Sequence, residues 1–144
     1  MVDAARIAHI LGGERVLRAR VRSLRDLERA IQRGLPKRSL VAAVERIATD
    51  PGERNELIAR IVPTPTFRRR RTVLKPAESE RTERFARVIA LAEDVWGDQA
   101  QARRFLKTPH PLLESRRPLD VARTELGARQ VEELLLELLH GLAV

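Results

Sequence analysis

The sequence predicts an all-α fold, and three observations carry that reading. Ala, Leu, Arg and Glu dominate the 144 residues, and all four are good helix formers. No stretch sustains the apolar/polar alternation of a half-buried strand. Prolines, glycines and short polar residues fall where they open or close helical segments. A hydrophobic share of 43% is enough for a packed core, and a charged share of 33% suits a soluble surface.

Each element has its own signal. Val2–Leu11 reads as a first short helix closed by Gly12-Gly13. Ser23 is an N-cap with Asp26 three residues on, and Leu24, Leu27 and Ile31 line one face until Gly34 stops the helix. After Pro36, the set Leu40, Val41, Val44, Ile47 and Ala48 follows helical spacing. Asp50-Pro51-Gly52-Glu53 is the clearest helix start: Asp50 caps, Pro51 takes the first helical position, and Glu53 reaches back to the cap N–H. Leu57, Ile58 and Ile61 give that helix its buried face, and Pro63 ends it near Val62. Thr64 is expected to cap a second short helix that begins at Pro65 and carries Thr66-Phe67-Arg68-Arg69-Arg70-Arg71. Two short helices across a tight turn, the second polar and basic, read as a helix-turn-helix.

Pro76 opens the longest element, about 76–96 and roughly 30 Å long, with Phe85, Val88, Ile89, Ala92, Val95 and Trp96 on one stripe and Gly97 at its end. Trp96 reads as a core anchor at that corner. Asp98 caps the next helix, through Phe105 and Leu106 to Lys107, and Thr108-Pro109-His110-Pro111 must be a non-helical connector in which His110 holds a local turn. Pro118 starts a short helix to Arg123, and Thr124 caps the last helix, about 125–139. In that helix Val131, Leu134, Leu135, Leu136, Leu138 and Leu139 spread over about 200°, where an amphipathic surface helix needs little more than 100°. Part of this surface covers the chain's own core, and the remainder is expected to meet another protein, either a second copy or a different partner.

Composition excludes several functions. There is no cysteine, hence no disulfide, thiolate metal site or cysteine nucleophile. Only Trp96, Phe67, Phe85 and Phe105 are aromatic, too few for a base-stacking platform. His9, His110 and His140 are far apart without ligand spacing, and neither a nucleophile–base pair nor a Gly-rich phosphate cradle is present, so neither metal, cofactor nor enzymatic activity is expected. His140 is placed to complement the dipole at the end of the last helix. No apolar run is long enough to span a membrane and the N-terminus is unlike a secretory signal, which points to the cytoplasm.

The formal net charge of +8 is unevenly spread. Residues 1–75 hold 18 Lys and Arg against 8 Asp and Glu, whereas residues 76–144 hold 10 against 12. A basic half suits a polyanion and a mildly acidic half suits a protein. Arginine outnumbers lysine 25 to 3, a bias that genome composition alone can produce. Sharpest is Arg68-Arg69-Arg70-Arg71. With Thr64 and Thr66 before it, this segment can dock in a major groove, the hydroxyls on phosphate and one or two arginines on guanine. Four successive helical positions cannot all face one groove, so about two of them touch DNA. The division expected is therefore a DNA-binding half over 1–75, with the order of residues 1–22 left open by the sequence, and a partner-binding and dimerisation half over 76–144.

The second half also resembles a known family. Phe85–Trp96-Gly97-Asp98, Ala102-Arg103-Arg104-Phe105-Leu106-Lys107-Thr108-Pro109-His110-Pro111-Leu112, Pro118-Leu119-Asp120, Thr124-Glu125-Leu126-Gly127-Ala128-Arg129-Gln130-Val131-Glu132-Glu133-Leu134-Leu135 and His140-Gly141 stand in the order found in the Xre/MbcA/ParS antitoxins. Gly34-Leu35-Pro36 with Ser39-Leu40, and the arginine-rich helix before Pro76, resemble that family's Xre-like helix-turn-helix more loosely. The resemblance implies an all-helical antitoxin of a type II toxin–antitoxin pair. It would bind operator DNA through one half and a RES-domain, NAD⁺-degrading toxin through the other, and repress its own operon. It further implies that the C-terminal tail enters the toxin's active-site cleft. On this chain that assigns His140, Gly141, Leu142, Ala143 and Val144, supported by Leu135, Leu136 and Leu139, with the terminal carboxylate meeting arginines suited to phosphates. Two-fold operators call for a homodimer within a larger toxin–antitoxin complex. A plain helix-turn-helix regulator, its second half serving only dimerisation, is the alternative. Departures from the family pattern are Val62-Pro63-Thr64-Pro65 at the turn, and Lys75 and Arg117 where serine or threonine caps are usual.

Overall fold

The computed structural model describes residues 2–141. Among these, ten helices follow one another with no strand: α1 (Ala4–Ile10), α2 (Gly13–Leu17), α3 (Leu24–Arg33), α4 (Lys37–Glu45), α5 (Pro51–Ile61), α6 (Thr64–Arg69), α7 (Pro76–Trp96), α8 (Gln99–Lys107), α9 (Pro118–Val121) and α10 (Glu125–Leu139). None is long and apolar enough to cross a membrane.

The fold is built on α7. Its 21 residues pack against α1, α3, α4, α5, α8 and α10. Between Phe85 and Ala92 every residue except Arg87 is buried, so the helix is apolar on most of its circumference there and not along one stripe. Ala86, Ala90 and Ala92 supply the close approach, since a methyl side chain lets a neighbouring helix sit near the backbone. Gly97, at φ +67°, ends α7 as expected. Trp96 does not anchor the core. It is 38% exposed and leans on Phe105, with ring centroids 6.0 Å apart.

Residues 2–22 are held against the rest of the fold, with Ile7, Ile10, Leu11 and Val21 in its core. Asp3 accepts the Arg6 N–H at 2.8 Å and caps α1, whose Ile7 and Ile10, with Leu11 after it, are at most 2% exposed. Arg6 then reaches Glu93 on α7 at 2.7 Å. A helix α2 follows, which the sequence did not announce because Gly13 opens it and no side chain caps it.

Most caps behave as their residue types require. Ser23, Asp50 and Thr124 each accept the N–H three residues on. Glu53 reaches one residue further back than a capping box needs, to the Thr49 N–H at 2.8 Å. Lys75 cannot cap, and the Glu78 carboxylate instead accepts the Lys75 N–H at 2.9 Å. Arg117 gives α9 no side-chain cap, and it instead holds Asp120 through two hydrogen bonds of 2.8 and 3.1 Å. His110 keeps its expected role, Nδ1 accepting the Leu112 N–H at the start of the 3-10 turn Pro111–Leu113.

Gly34 is required twice over. Its φ is +94°, and a Cβ there would lie 2.3 Å from the Leu74 carbonyl oxygen. That approach lets residues 35–37 pair with 72–74 through Lys37 N–H to Thr72 O and Leu74 N–H to Leu35 O. Leu24, expected on the buried face of α3, is 74% exposed and lies at the rim of a groove between α3, α7 and α10.

Candidate functional site

Two separate surfaces carry the residues singled out by sequence. The first is the α5–α6 pair, joined by Val62-Pro63. Pro63, not Thr64, occupies the cap position of α6, because its extended backbone turns the chain while Thr64 already has helical geometry. No side chain therefore caps the first turn of α6. Thr64, Pro65, Arg68 and Arg69 are exposed, Thr66 is half-buried and accepts from Arg69 Nη2 at 3.3 Å, and Phe67 turns inward.

The arginine run does not continue the helix. α6 ends at Arg69, and Arg70 is extended. Its guanidinium grips the buried Glu78 of α7 at two points, 2.9 and 2.7 Å, which makes Arg70 a strap between the elements and not a free groove-reader. The carboxyl of Glu78 is in turn lowered to about 2, first by the hydrogen bonds from Arg70. Arg71, just beyond, is exposed. On the other side Lys37 donates to the Arg70 carbonyl at 2.9 Å and lies 4.4 Å from the centre of the Phe67 ring. Arg81 of α7 donates to the Ile61 carbonyl and closes the end of α5. Thus α6 is short, yet its pose is set from three sides. Sequence reasoning missed Lys37, Glu78 and Arg81; of the three only Glu78, three residues after Lys75, carried a signal, as the acid of a capping box.

The second surface is the exposed side of α10. Val131, Leu134 and Leu135 are buried against α7, so Leu135, expected to contact a partner, belongs to the core at 0% exposure. Leu136 packs partly against that core. Leu138 and Leu139 stay 38% and 50% exposed, and His140 and Gly141 continue the same end. Leu142, Ala143 and Val144 lie outside the described residues. Residue Gly127 sets the docking of α10: a Cβ would fall 1.7 Å from the Val121 carbonyl oxygen of α9. Among the described residues no group of histidines and carboxylates has the geometry of a metal site.

The described residues thus pair a clamped α5–α6 turn with a second helical half that ends in an apolar face. The family model of the antitoxin Xre-like helix-turn-helix domain matches residues 26–87, and that of the antitoxin Xre/MbcA/ParS C-terminal toxin-binding domain matches residues 91–141. A protein named antitoxin Xre from Pseudomonas putida is 31% identical over 96% of this chain and 94% of its own length. A second antitoxin Xre, from Yersinia enterocolitica, is 39% identical over 56% of this chain and 57% of its own. This chain belongs to the Xre/MbcA/ParS antitoxin family.

Proposed function

We propose that this antitoxin neutralises a RES-domain, NAD⁺-degrading toxin by occluding its active site, and that it represses its own operon as a homodimer. The observation that carries the reading is the separation of the two surfaces. The exposed residues of α6 lie in the stretch matched by the helix-turn-helix, and Leu138, Leu139 and His140 lie in the stretch matched by the toxin-binding domain. On this reading Arg68, Arg69 and Arg71, with Thr64 and Thr66, meet DNA, while Leu136, Leu139 and the segment 140–144 meet the toxin. Arg70 and Leu135 support those surfaces from inside. Occlusion is steric, and the antitoxin supplies no chemistry of its own.

Co-expression with a RES-domain toxin tests the proposal, with cell growth and NAD⁺ as readouts. Rescue of both, with co-purification, is expected. Deleting 140–144 should abolish rescue and leave the fold intact, because α10 is anchored by Val131, Leu134 and Leu135 upstream of the cut. Replacing Arg68 and Arg69 with alanine should lift repression and leave neutralisation unchanged. Failure to bind or rescue would reduce the C-terminal half to a dimerisation module and leave a plain transcriptional regulator.

A further inference from the structure

Ten of the 25 arginines pair with a carboxylate among the described residues, and five of those that do not line one groove. A groove of about 730 Å³ runs between α2, the α3–α4 turn and the segment after α6. Arg15, Arg18, Arg33, Lys37, Arg38 and Arg71 line it, and no acidic residue does. None of the six pairs with a carboxylate among the described residues, and the five arginines are exposed. The apolar floor, with Leu35 fully buried beneath it, keeps the local dielectric low and strengthens the field of these cations. Like charges gathered without counter-charges repel one another, and a polyanion relieves that repulsion.

The groove is continuous with the helix-turn-helix. Phe67 belongs to α6 and Arg71 follows it directly, and both line the groove. Lys37, set against the Phe67 ring, also borders the neighbouring cleft lined by Thr64 and Arg68. Arg15 and Arg18 precede residue 26, outside the stretch matched by the helix-turn-helix domain. We propose that this groove seats the phosphodiester backbone of the DNA duplex flanking the site read by α6, which makes α2 a further DNA-contacting element. The proposal rests on the DNA-binding reading above.

The test uses the full chain and two duplexes of equal length, one from the DNA upstream of its own gene and one of scrambled sequence. Affinity is followed by fluorescence anisotropy from low salt upward. With Arg15→Ala/Arg18→Ala, the magnitude of the slope of log K against log salt should fall by about 2 per bound protomer. Taking equal binding at 1 M salt, that slope change weakens binding roughly 30-fold per protomer at 0.15 M, on both duplexes alike. Arg15→Lys/Arg18→Lys keeps the charges and should restore slope and affinity. An unchanged slope in the alanine variant, while Arg68→Ala/Arg69→Ala abolishes binding, overturns the groove and spares the helix-turn-helix reading. So would a lysine variant that restores nothing. Absence of binding by the unaltered chain at any salt overturns both.

Discussion

Glu78 shows how much one residue can hold. It accepts the Lys75 N–H that opens α7 and two hydrogen bonds from Arg70 that fasten the end of α6. Those donors favour the ionised form, so its pKa is lowered from 4.5 to about 2. The folded state therefore binds the proton less readily than the unfolded chain. Its stabilisation is complete above about pH 5 and fades as pH falls toward 2. Glu78→Gln should cost about 2 kcal/mol at pH 7, the size of a charge-assisted hydrogen-bonded pair. Denaturation curves of the variant and the parent should draw together toward pH 2, and curves that stay parallel at every pH would refute the assignment. Gly127 is the opposite kind of residue, important for what it lacks. Ala at this position meets the Val121 carbonyl head-on, and Gly127→Ala should cost about 3 kcal/mol or more in urea denaturation.

At the scale of elements, short helices depend on their neighbours. Helix α6 has six residues, well below the length at which an isolated helix persists in water. Its pose comes from Phe67 inside, Lys37 on one flank and the Arg70–Glu78 strap on the other. Asp50→Ala removes the side-chain cap of α5, the helix that leads into it, and should lower stability by about 1 kcal/mol. The loss should appear as faster amide exchange in the first turn of α5, with α10 unaffected. Helix α10 buries part of its wide apolar arc and leaves part exposed, as expected: Val131, Leu134 and Leu135 go inward, and Leu138 and Leu139 stay out. Which leucine went where was not legible, because the arc gives the helix's faces but not the direction of α7.

For the whole molecule, the division between residues 75 and 76 does not separate two cores. Helix α7 serves both halves, and the two family matches meet within it, between residues 87 and 91. Glu93, 6% exposed, takes Arg6 of α1 at 2.7 Å and Arg46 just after α4 at 2.9 and 2.7 Å, while Arg103 of α8 donates to the Arg46 carbonyl. The Lys107–Glu53 pair joins α8 to α5. A fragment of residues 1–75 should therefore lack stable structure by circular dichroism and NMR, since Leu35, Leu40 and Val44 lose the helix that covers them. The full chain should unfold in one transition. A folded 1–75 fragment would contradict this account.

The sequence by itself determined the helical class, the order of the main helices and the chemistry of most of their ends. Caps, prolines and glycines act locally, within three or four residues, so Ser23, Asp50, Thr124, Gly34 and Gly97 could be read without a partner in space. The family motifs in the second half were legible for the same reason, being contiguous runs. Only the tertiary structure decided which cations are free. Arg70 and Arg71 are neighbours of the same type, yet one is spent on Glu78 and the other opens into a basic groove. Arg15 and Arg18 join that groove because α1 packs on α7 and carries α2 to the α3–α4 turn. Side-chain charge is written in the sequence, but whether that charge is neutralised depends on contacts between residues far apart in the chain.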